Sequence, residues 1–175
     1  MIPKRIYQTW KYHELPDGIS LTIQDMKKLN PSYEFYMYDD ADIDNFVNKY
    51  YPGEIANAYN MLNIGTAKAD LWRYLILYKY GGIYLDIDSM ITKSLDDLIM
   101  LDDDAIITRE SHKNIFNQWI LIFSEKHPIL KATIDKCVYN IINKTSNNIW
   151  EVTGPGVFTS ILNFNLQLSN SHTDI

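Results

Sequence analysis

Cysteine is almost missing from this chain of 175 residues, where Cys137 stands alone. One thiol excludes an intrachain disulfide and every multi-cysteine metal or iron–sulfur site. Basic residues are in short supply as well. Sixteen Lys and Arg against twenty-two Asp and Glu leave a net charge of −6. That balance argues against nucleic acid as a partner, because phosphate neutralisation needs Lys and Arg. Long apolar runs are lacking. Spanning a bilayer takes about 18 or more uncharged apolar residues. The longest run, Ile115–Phe123, is interrupted by Asn117 and Gln118 and reads as core. No secretory h-region precedes the strand-like opening Met1-Ile-Pro-Lys-Arg-Ile-Tyr7. The sequon at Asn143-Lys144-Thr145 therefore reads as chance in an Asn-rich chain. The expected setting is cytoplasmic, with contact at the periphery of a membrane left open. No Ser/His/Asp order with an elbow motif and no phosphate-cradling glycine loop is present.

What remains is a folded composition, 46% apolar and 13% aromatic. A chain of this size buries roughly 70% of its unfolded surface, enough for one core. The pattern predicts a strand at Arg5–Gln8 and a helix from Ser20 to Leu29, stopped by Asn30-Pro31. A second strand is expected at Tyr33–Tyr38. Asp39 then caps a helix with Ile43, Phe46 and Val47 as its apolar stripe, and a short helix follows from Pro52 to Tyr59. Helical spacing is clearest over Thr66–Tyr80, which Gly81-Gly82 ends. Further strands are expected at Ile83–Asp86, Ala105–Arg109 and Trp150–Thr153, with a turn or short helical piece at Ser94–Ile99. Helices are expected at Asn114–Phe123, Pro128–Asn143 and Val157–Leu168, the last after a Gly154-Pro155-Gly156 turn. Alternating strands and helices imply a layered α/β domain with parallel or mixed pairing.

The chemistry concentrates between Asp70 and Asp88. Asp70 and Arg73 are three apart on a helix and share a face. The double glycine turns the chain into a strand that delivers Asp86 at its carboxyl end, where ligands of open α/β sheets bind. Asp88 lies two residues on, so in extended chain both carboxylates point the same way. Such a pair can hold one hard cation, Mg²⁺ or Mn²⁺, directly or through water. The same spacing at Asp40/Asp42 and Asp42/Asp44 begins a helix, and at Asp102/Asp104 it reads as a solvated turn. Asp86 differs because it leaves the apolar strand Ile83-Tyr84-Leu85. Asp70 and Arg73 are open to two readings, ligand contact or a buried structural pair. Trp72, Trp119 and Trp150 are expected in the core, His112 and His127 at the surface, and Cys137 as a small buried hydrophobe.

These residues resemble the DXD-containing sugar-transferase region of glycosyltransferase family 32, and more distantly the catalytic domain of glucosylating clostridial toxins. The likeness rests on Ile2-Pro3-Lys4-Arg5-Ile6-Tyr7-Gln8-Thr9-Trp10 and Asn30-Pro31-Ser32-Tyr33-Glu34 with Tyr38-Asp39-Asp40. It rests above all on Ala69-Asp70 through Arg73-Tyr74, Tyr80 through Asp88, and Thr153-Gly154-Pro155. The family usually carries His where this chain has Tyr7. It also closes with a His- and Trp-containing segment, for which His172 is the nearby candidate.

The resemblance implies one GT-A-like domain over residues 1–175, a single mixed and mostly parallel sheet flanked by helices, short of that closing segment. It implies metal-dependent, retaining transfer of a hexose from a nucleotide-diphospho-sugar, a UDP-hexose or GDP-mannose, to a glycan or glycolipid. On that reading Asp88 ligates Mn²⁺ or Mg²⁺, with Asp86 joining through water or holding the ribose, and His172 as a further ligand. Asp70, Arg73, Asp86 and Asp88 are the catalytic set. Gln8, Thr9, Trp10 and Tyr84 join Asp70, Arg73 and Asp86 around the donor, with Tyr84 beneath the metal loop. Rival classes are a sugar-nucleotide-binding subunit, a carbohydrate-binding module, and a metal-dependent phosphohydrolase or nucleotidyltransferase.

Overall fold

The computed structural model describes residues 1–110 and 114–171. Five strands form one mixed sheet in the order β2-β1-β3-β5-β4. The strands are β1 (Arg5–Thr9), β2 (Glu34–Tyr38), β3 (Gly82–Leu85), β4 (Ala105–Ile106) and β5 (Ile120–Phe123). Strand β1 pairs in parallel with both β2 and β3, while β5 runs antiparallel between β3 and β4. Four of the five strands therefore point one way, as the mostly parallel expectation has it.

The helices are α1 (Asp17–Leu29), α2 (Asp40–Tyr50), α3 (Glu54–Asn60), α4 (Gly65–Tyr80), α5 (Pro128–Ile142), α6 (Ile149–Val152) and α7 (Pro155–Ser171). A 3-10 turn sits at Leu95–Asp97. None of the described helices is long and apolar enough to cross a membrane. Side-chain alternation along the strands splits the core in two. Ile6, Ile83 and Leu85 pack with Ile23 and Met26 of α1 on one face. Tyr7 and Tyr84 pack with Leu71, Trp72 and Leu75 of α4 on the other. Helix α4 is buried around most of its girth, which explains why its apolar residues nearly encircle it. Cys137 lies in this second core, and burial pushes its thiol pKa up.

Two glycines set the exit from α4. Gly81 takes φ +61°, and a Cβ there would fall 2.7 Å from the Glu125 nitrogen. Gly82 takes φ +107°, and a Cβ there would fall 2.6 Å from the Arg5 carbonyl oxygen. Positive φ is cheap only for glycine, and here the space is taken as well. The turn thus drops β3 directly beside β1, in the register Ile6 with Ile83 and Tyr7 with Tyr84.

The antiparallel side departs from the expectations. The helix expected over Asn114–Phe123 is instead a loop leading into β5. Ile120–Phe123 is an unbroken apolar run, Ile-Leu-Ile-Phe, mostly buried between β3 and β4. Periodicity cannot separate such a run from a buried helix. The strand expected over Ala105–Arg109 shortens to Ala105–Ile106, with Arg109 making an isolated antiparallel bridge to Phe116. Trp150–Thr153 is helical, not extended, because Asn148 caps it: its side-chain oxygen accepts from the Trp150 N–H at 3.1 Å. His127 is buried, not at the surface, and its Nδ1 accepts from the Ile129 N–H at the start of α5. Burial lowers its pKa. His112 and His172 lie outside the described residues.

Candidate active site

The carboxyl ends of β1, β2 and β3 and the start of β5 meet at one edge of the sheet. The ladder continues one residue past β3, where the Asp86 N–H donates to the Trp119 carbonyl at 2.8 Å. This bond fixes where the Asp86 side chain leaves the sheet. Its Oδ1 accepts from the Tyr84 hydroxyl at 2.6 Å and lies 3.3 Å from Arg73 Nη1. Tyr84 reaches Asp86 because residues two apart on a strand share a face.

Arg73 is the hub. Its Nη2 pairs with Asp70 Oδ1 at 2.9 Å, and its Nη1 also donates to the Gln118 carbonyl at 3.0 Å. Its Nε donates to the Ala69 carbonyl at 3.4 Å, and its guanidinium lies 4.5 Å from the Tyr84 ring centroid. Asp70 and Arg73 are each only 6% exposed. A buried pair of this kind persists only when its remaining hydrogen-bonding positions are filled. Asp70 Oδ2 accordingly accepts from the Thr153 hydroxyl at 3.3 Å. Gln118 donates to the Thr153 carbonyl at 3.3 Å. Burial raises the Asp70 carboxyl pKa, against the opposing pull of Arg73 and Thr153. Burial also works against the charge on Arg73, but Tyr84, Asp70 and Asp86 outweigh it and raise its pKa. Tyr84 is raised chiefly by burial and stays a neutral donor.

Two cavities meet at this hub. One, of about 720 Å³, is bordered by Thr9, Trp10, Arg73, Tyr84, Asp86 and Asp88. The other, of about 600 Å³, lies on the β5 side and shares Thr66, Arg73 and Asp86 with the first. Asp70 borders the second cavity. Trp10 is held over the first by its N–H, which donates to the Tyr38 carbonyl at 3.1 Å. The loop that follows is tethered by His13, whose Nε2 lies 3.3 Å from Asp39 and 3.1 Å from Asp42. These three are, among the described residues, the one cluster of three or more His, Cys, Asp or Glu side chains close enough for a metal. Asp39 and Asp42 already form the capping box of α2, so the cluster has a structural purpose.

Asp70, Arg73, Asp86, Asp88, Thr9, Trp10 and Tyr84 thus gather around two joined cavities. Gln8 does not line them. It is buried, 3.5 Å through its side-chain nitrogen from the Asp86 carbonyl, and supports the Asp86–Asp88 loop from below. His172 lies outside the described residues. Asp86 and Asp88 suit a hard divalent cation. Three carboxylates with one guanidinium leave excess negative charge, and the donors are oxygens. Asp88 is exposed on the cavity rim. Two carboxylates alone do not fill a coordination sphere, which leaves positions for water and substrate oxygens.

Sequence reasoning passed over Gln118, which serves Arg73 through a backbone carbonyl that no side-chain pattern reveals and ties the Thr153 carbonyl through its side chain. It also placed Trp119 and Trp150 in the core. Both are 44% exposed and border the second cavity, whereas Trp72 is fully buried as expected. The glycines that follow Trp150 were the available signal: Gly156 leaves room for its ring, and Gly154 for its main chain.

Comparison with known proteins agrees with this geometry. Residues 16–107 match the family described as "Glycosyltransferase sugar-binding region containing DXD motif". Inositol phosphoceramide mannosyltransferase 3 of Schizosaccharomyces pombe is 37% identical over 133 residues, covering 76% of this chain and 36% of that protein. The initiation-specific alpha-1,6-mannosyltransferase of Candida albicans is 27% identical over 198 residues, covering 90% of this chain and 51% of that protein. The chain thus spans between a third and a half of the length of these two relatives. The solved structure of PaToxG Glycosyltransferase superposes with a TM-score of 0.76 at 23% identity, over 97% of this chain and 75% of that one. It shares the α/β fold expected from the sequence. The chain belongs to the family of glycosyltransferase sugar-binding regions that contain the DXD motif.

Proposed function

We propose that this chain transfers a hexose, mannose first among the candidates, from a nucleotide-diphospho-sugar to a glycan or glycolipid. The observation that carries the proposal is the Asp70–Arg73–Asp86 hub at the junction of two cavities, one of them bordered by Trp10 and Asp88. Its relatives are named mannosyltransferases, which favours GDP-mannose over a UDP-hexose in the first screen.

Each residue then has a stated part. Trp10 offers an aromatic face to the nucleobase, beside Thr9. Asp88, with Asp86 directly or through water, holds Mn²⁺ or Mg²⁺. Such an ion, when bound, neutralises charge on the departing nucleoside diphosphate. Tyr84 and Arg73 fix the orientation of Asp86, so its free oxygen is presented without reorganisation. Asp70 accepts from sugar hydroxyls while Arg73 keeps it ionised. Arg73 borders both cavities and meets the sugar or phosphate there. The bond from the anomeric carbon to phosphate oxygen breaks as the acceptor oxygen adds on the same face. The acceptor proton passes to the leaving phosphate, so no general base is assigned and configuration is retained.

The test is a screen of GDP-mannose, UDP-glucose, UDP-galactose and UDP-N-acetylhexosamines for Mn²⁺-dependent binding and turnover. Asp88→Asn should reduce turnover by about 10²–10³-fold, as loss of one electrostatic group at a developing charge does. Equal donor affinity and turnover in Asp88→Asn overturn the metal assignment. An inverted anomeric product overturns the retaining course.

A further inference from the structure

Two features of the second cavity are left unused by the donor reading. Trp119 and Trp150 both border it, and both indoles are 44% exposed. An aromatic ring at a cavity edge offers a large apolar face to an occupant. Trp150 is firmly seated. Its N–H is capped by Asn148, and its ring lies so close to Gly156 that a Cβ there would fall 2.4 Å from Cε3 and Cζ3. At Gly154 a Cβ would fall 2.9 Å from the Trp150 Cα. The Gly-Pro-Gly turn is thus shaped around this residue, and it holds the indole at the cavity edge. The Trp119 main chain is anchored beside the same cavity, since its carbonyl accepts from the Asp86 N–H at 2.8 Å.

The rest of the lining has matching chemistry. Asn117 and Asn148 border the cavity, and Arg73 and Asp86 border it where it joins the donor side. Its volume of about 600 Å³ is within the roughly 300–1,000 Å³ of small-molecule sites. Apolar indole faces suit the C–H face of a pyranose, and amides and carboxylates suit its hydroxyls. Among the described lining residues carboxylates outnumber cations, and Arg73 is already paired, which favours a neutral occupant.

We propose that this end of the cavity is the acceptor subsite. It binds a neutral hexopyranosyl ring stacked on Trp150, with Trp119 bordering the same space. A hydroxyl of that ring then faces the Arg73–Asp86 wall, which the donor cavity shares. This deepens the transfer reading above and rests on it.

The test titrates the full chain with methyl α-mannoside, methyl α-glucoside and methyl α-galactoside, read by saturation-transfer NMR and tryptophan fluorescence. At least one should bind saturably. Trp150→Ala should weaken that binding about tenfold or more, a difference of about 1.4 kcal/mol. Trp150→Phe keeps an aromatic face and should weaken it less. Gly156→Ala, which displaces the ring without removing it, should also weaken it. Absence of binding by all three hexosides overturns the subsite, as does equal binding in wild type and both Trp150 variants. Hydrolysis of the nucleotide sugar without acceptor, run in parallel, separates the two readings. Hydrolysis without hexoside binding removes the acceptor subsite alone. Loss of both donor binding and hydrolysis across the donor screen removes the transfer reading and the subsite with it.

Discussion

The two walls of the cleft are built by different means. On one side, Thr9, Trp10 and Asp88 follow the ends of parallel strands, whose register the backbone ladder sets. On the other, the segments around Gln118 and Thr153 have no long ladder between them. They are tied by side chains: Gln118 to the Thr153 carbonyl, Thr153 to Asp70, and Asn140 to the Glu151 carbonyl. The Phe116 N–H likewise donates to the Thr159 hydroxyl at 3.0 Å. A ladder tolerates loss of one side chain, but a wall made of a few side-chain bonds does not. The β5 wall is therefore where single substitutions should reshape the site.

The largest effect belongs to the piece both walls share. Arg73→Ala leaves Asp70 buried without its counter-charge, and breaking such a pair costs about 3–5 kcal/mol. The urea midpoint should fall accordingly, and transfer should be lost. Arg73→Lys keeps the charge but not the fork that spans Asp70, Asp86 and the Gln118 carbonyl. It should recover part of the stability and little of the activity. A small stability loss in Arg73→Ala would mean that the walls stand independently.

The next effect is set by pH. Burial raises the folded-state pKa of Asp70 above its ordinary 3.8. The folded protein therefore holds that proton more readily than the unfolded chain. The stability so contributed is complete below 3.8 and is lost as pH rises through the raised folded value. Activity runs in the opposite sense, because the ionised carboxylate is the form that pairs with Arg73. As pH rises above 3.8, Asp70→Asn should flatten the fall in stability relative to wild type. The wild-type kcat/KM should rise over the same window. Identical stability profiles for the two proteins would show that Asp70 is more hydrated than its burial implies.

How far the residues announced this architecture follows the same division. The parallel side was legible because its signals are local: the Asp39 capping box, the Asn30-Pro31 stop, the glycine pair after Tyr80. Asp70 and Arg73 fall on the helix that those signals delimit, and Asp86 and Asp88 on the turn that follows its strand. The antiparallel side was misread at Ile120–Phe123 and Trp150–Val152 because tertiary pairing and one Asn cap decide them. Gln118 could not have been found, since it serves Arg73 through its main chain. Gln8 was read as lining the opening because it neighbours Trp10, but strand alternation turns it under the Asp86 loop.

A paired substitution sharpens the contrast between the walls. Thr153→Val removes the hydroxyl that serves Asp70 across 83 residues of sequence and preserves the shape. Leaving a buried carboxylate short of a donor costs about 1–3 kcal/mol. Thr9→Val removes a hydroxyl bond to the Tyr38 carbonyl, which still accepts from the Trp10 N–H. That loss should be about 0.5–1 kcal/mol. Thermal melts of both variants measure the difference. A larger loss from Thr9→Val would reverse the comparison and place the weaker wall at β1.

The smallest effect probes the back of the hub. Tyr74 lies on α4 between the two charged residues and the α5 and α7 helices, stacked on Phe158 at 5.8 Å. Its hydroxyl is buried without a hydrogen-bond partner among the described residues, and burial raises its pKa well above the ordinary value, so it stays protonated. An unpartnered buried hydroxyl opposes folding. Tyr74→Phe keeps the ring and the stacking and removes that cost. It should be neutral or stabilising, by up to about 1 kcal/mol, with transfer little altered. A loss of more than about 1 kcal/mol would mean the hydroxyl bonds a partner or a trapped water. In that event the β5 wall gains a support through α7 beyond the side-chain bonds that tie Gln118, Thr153 and Asn140, and its predicted sensitivity falls.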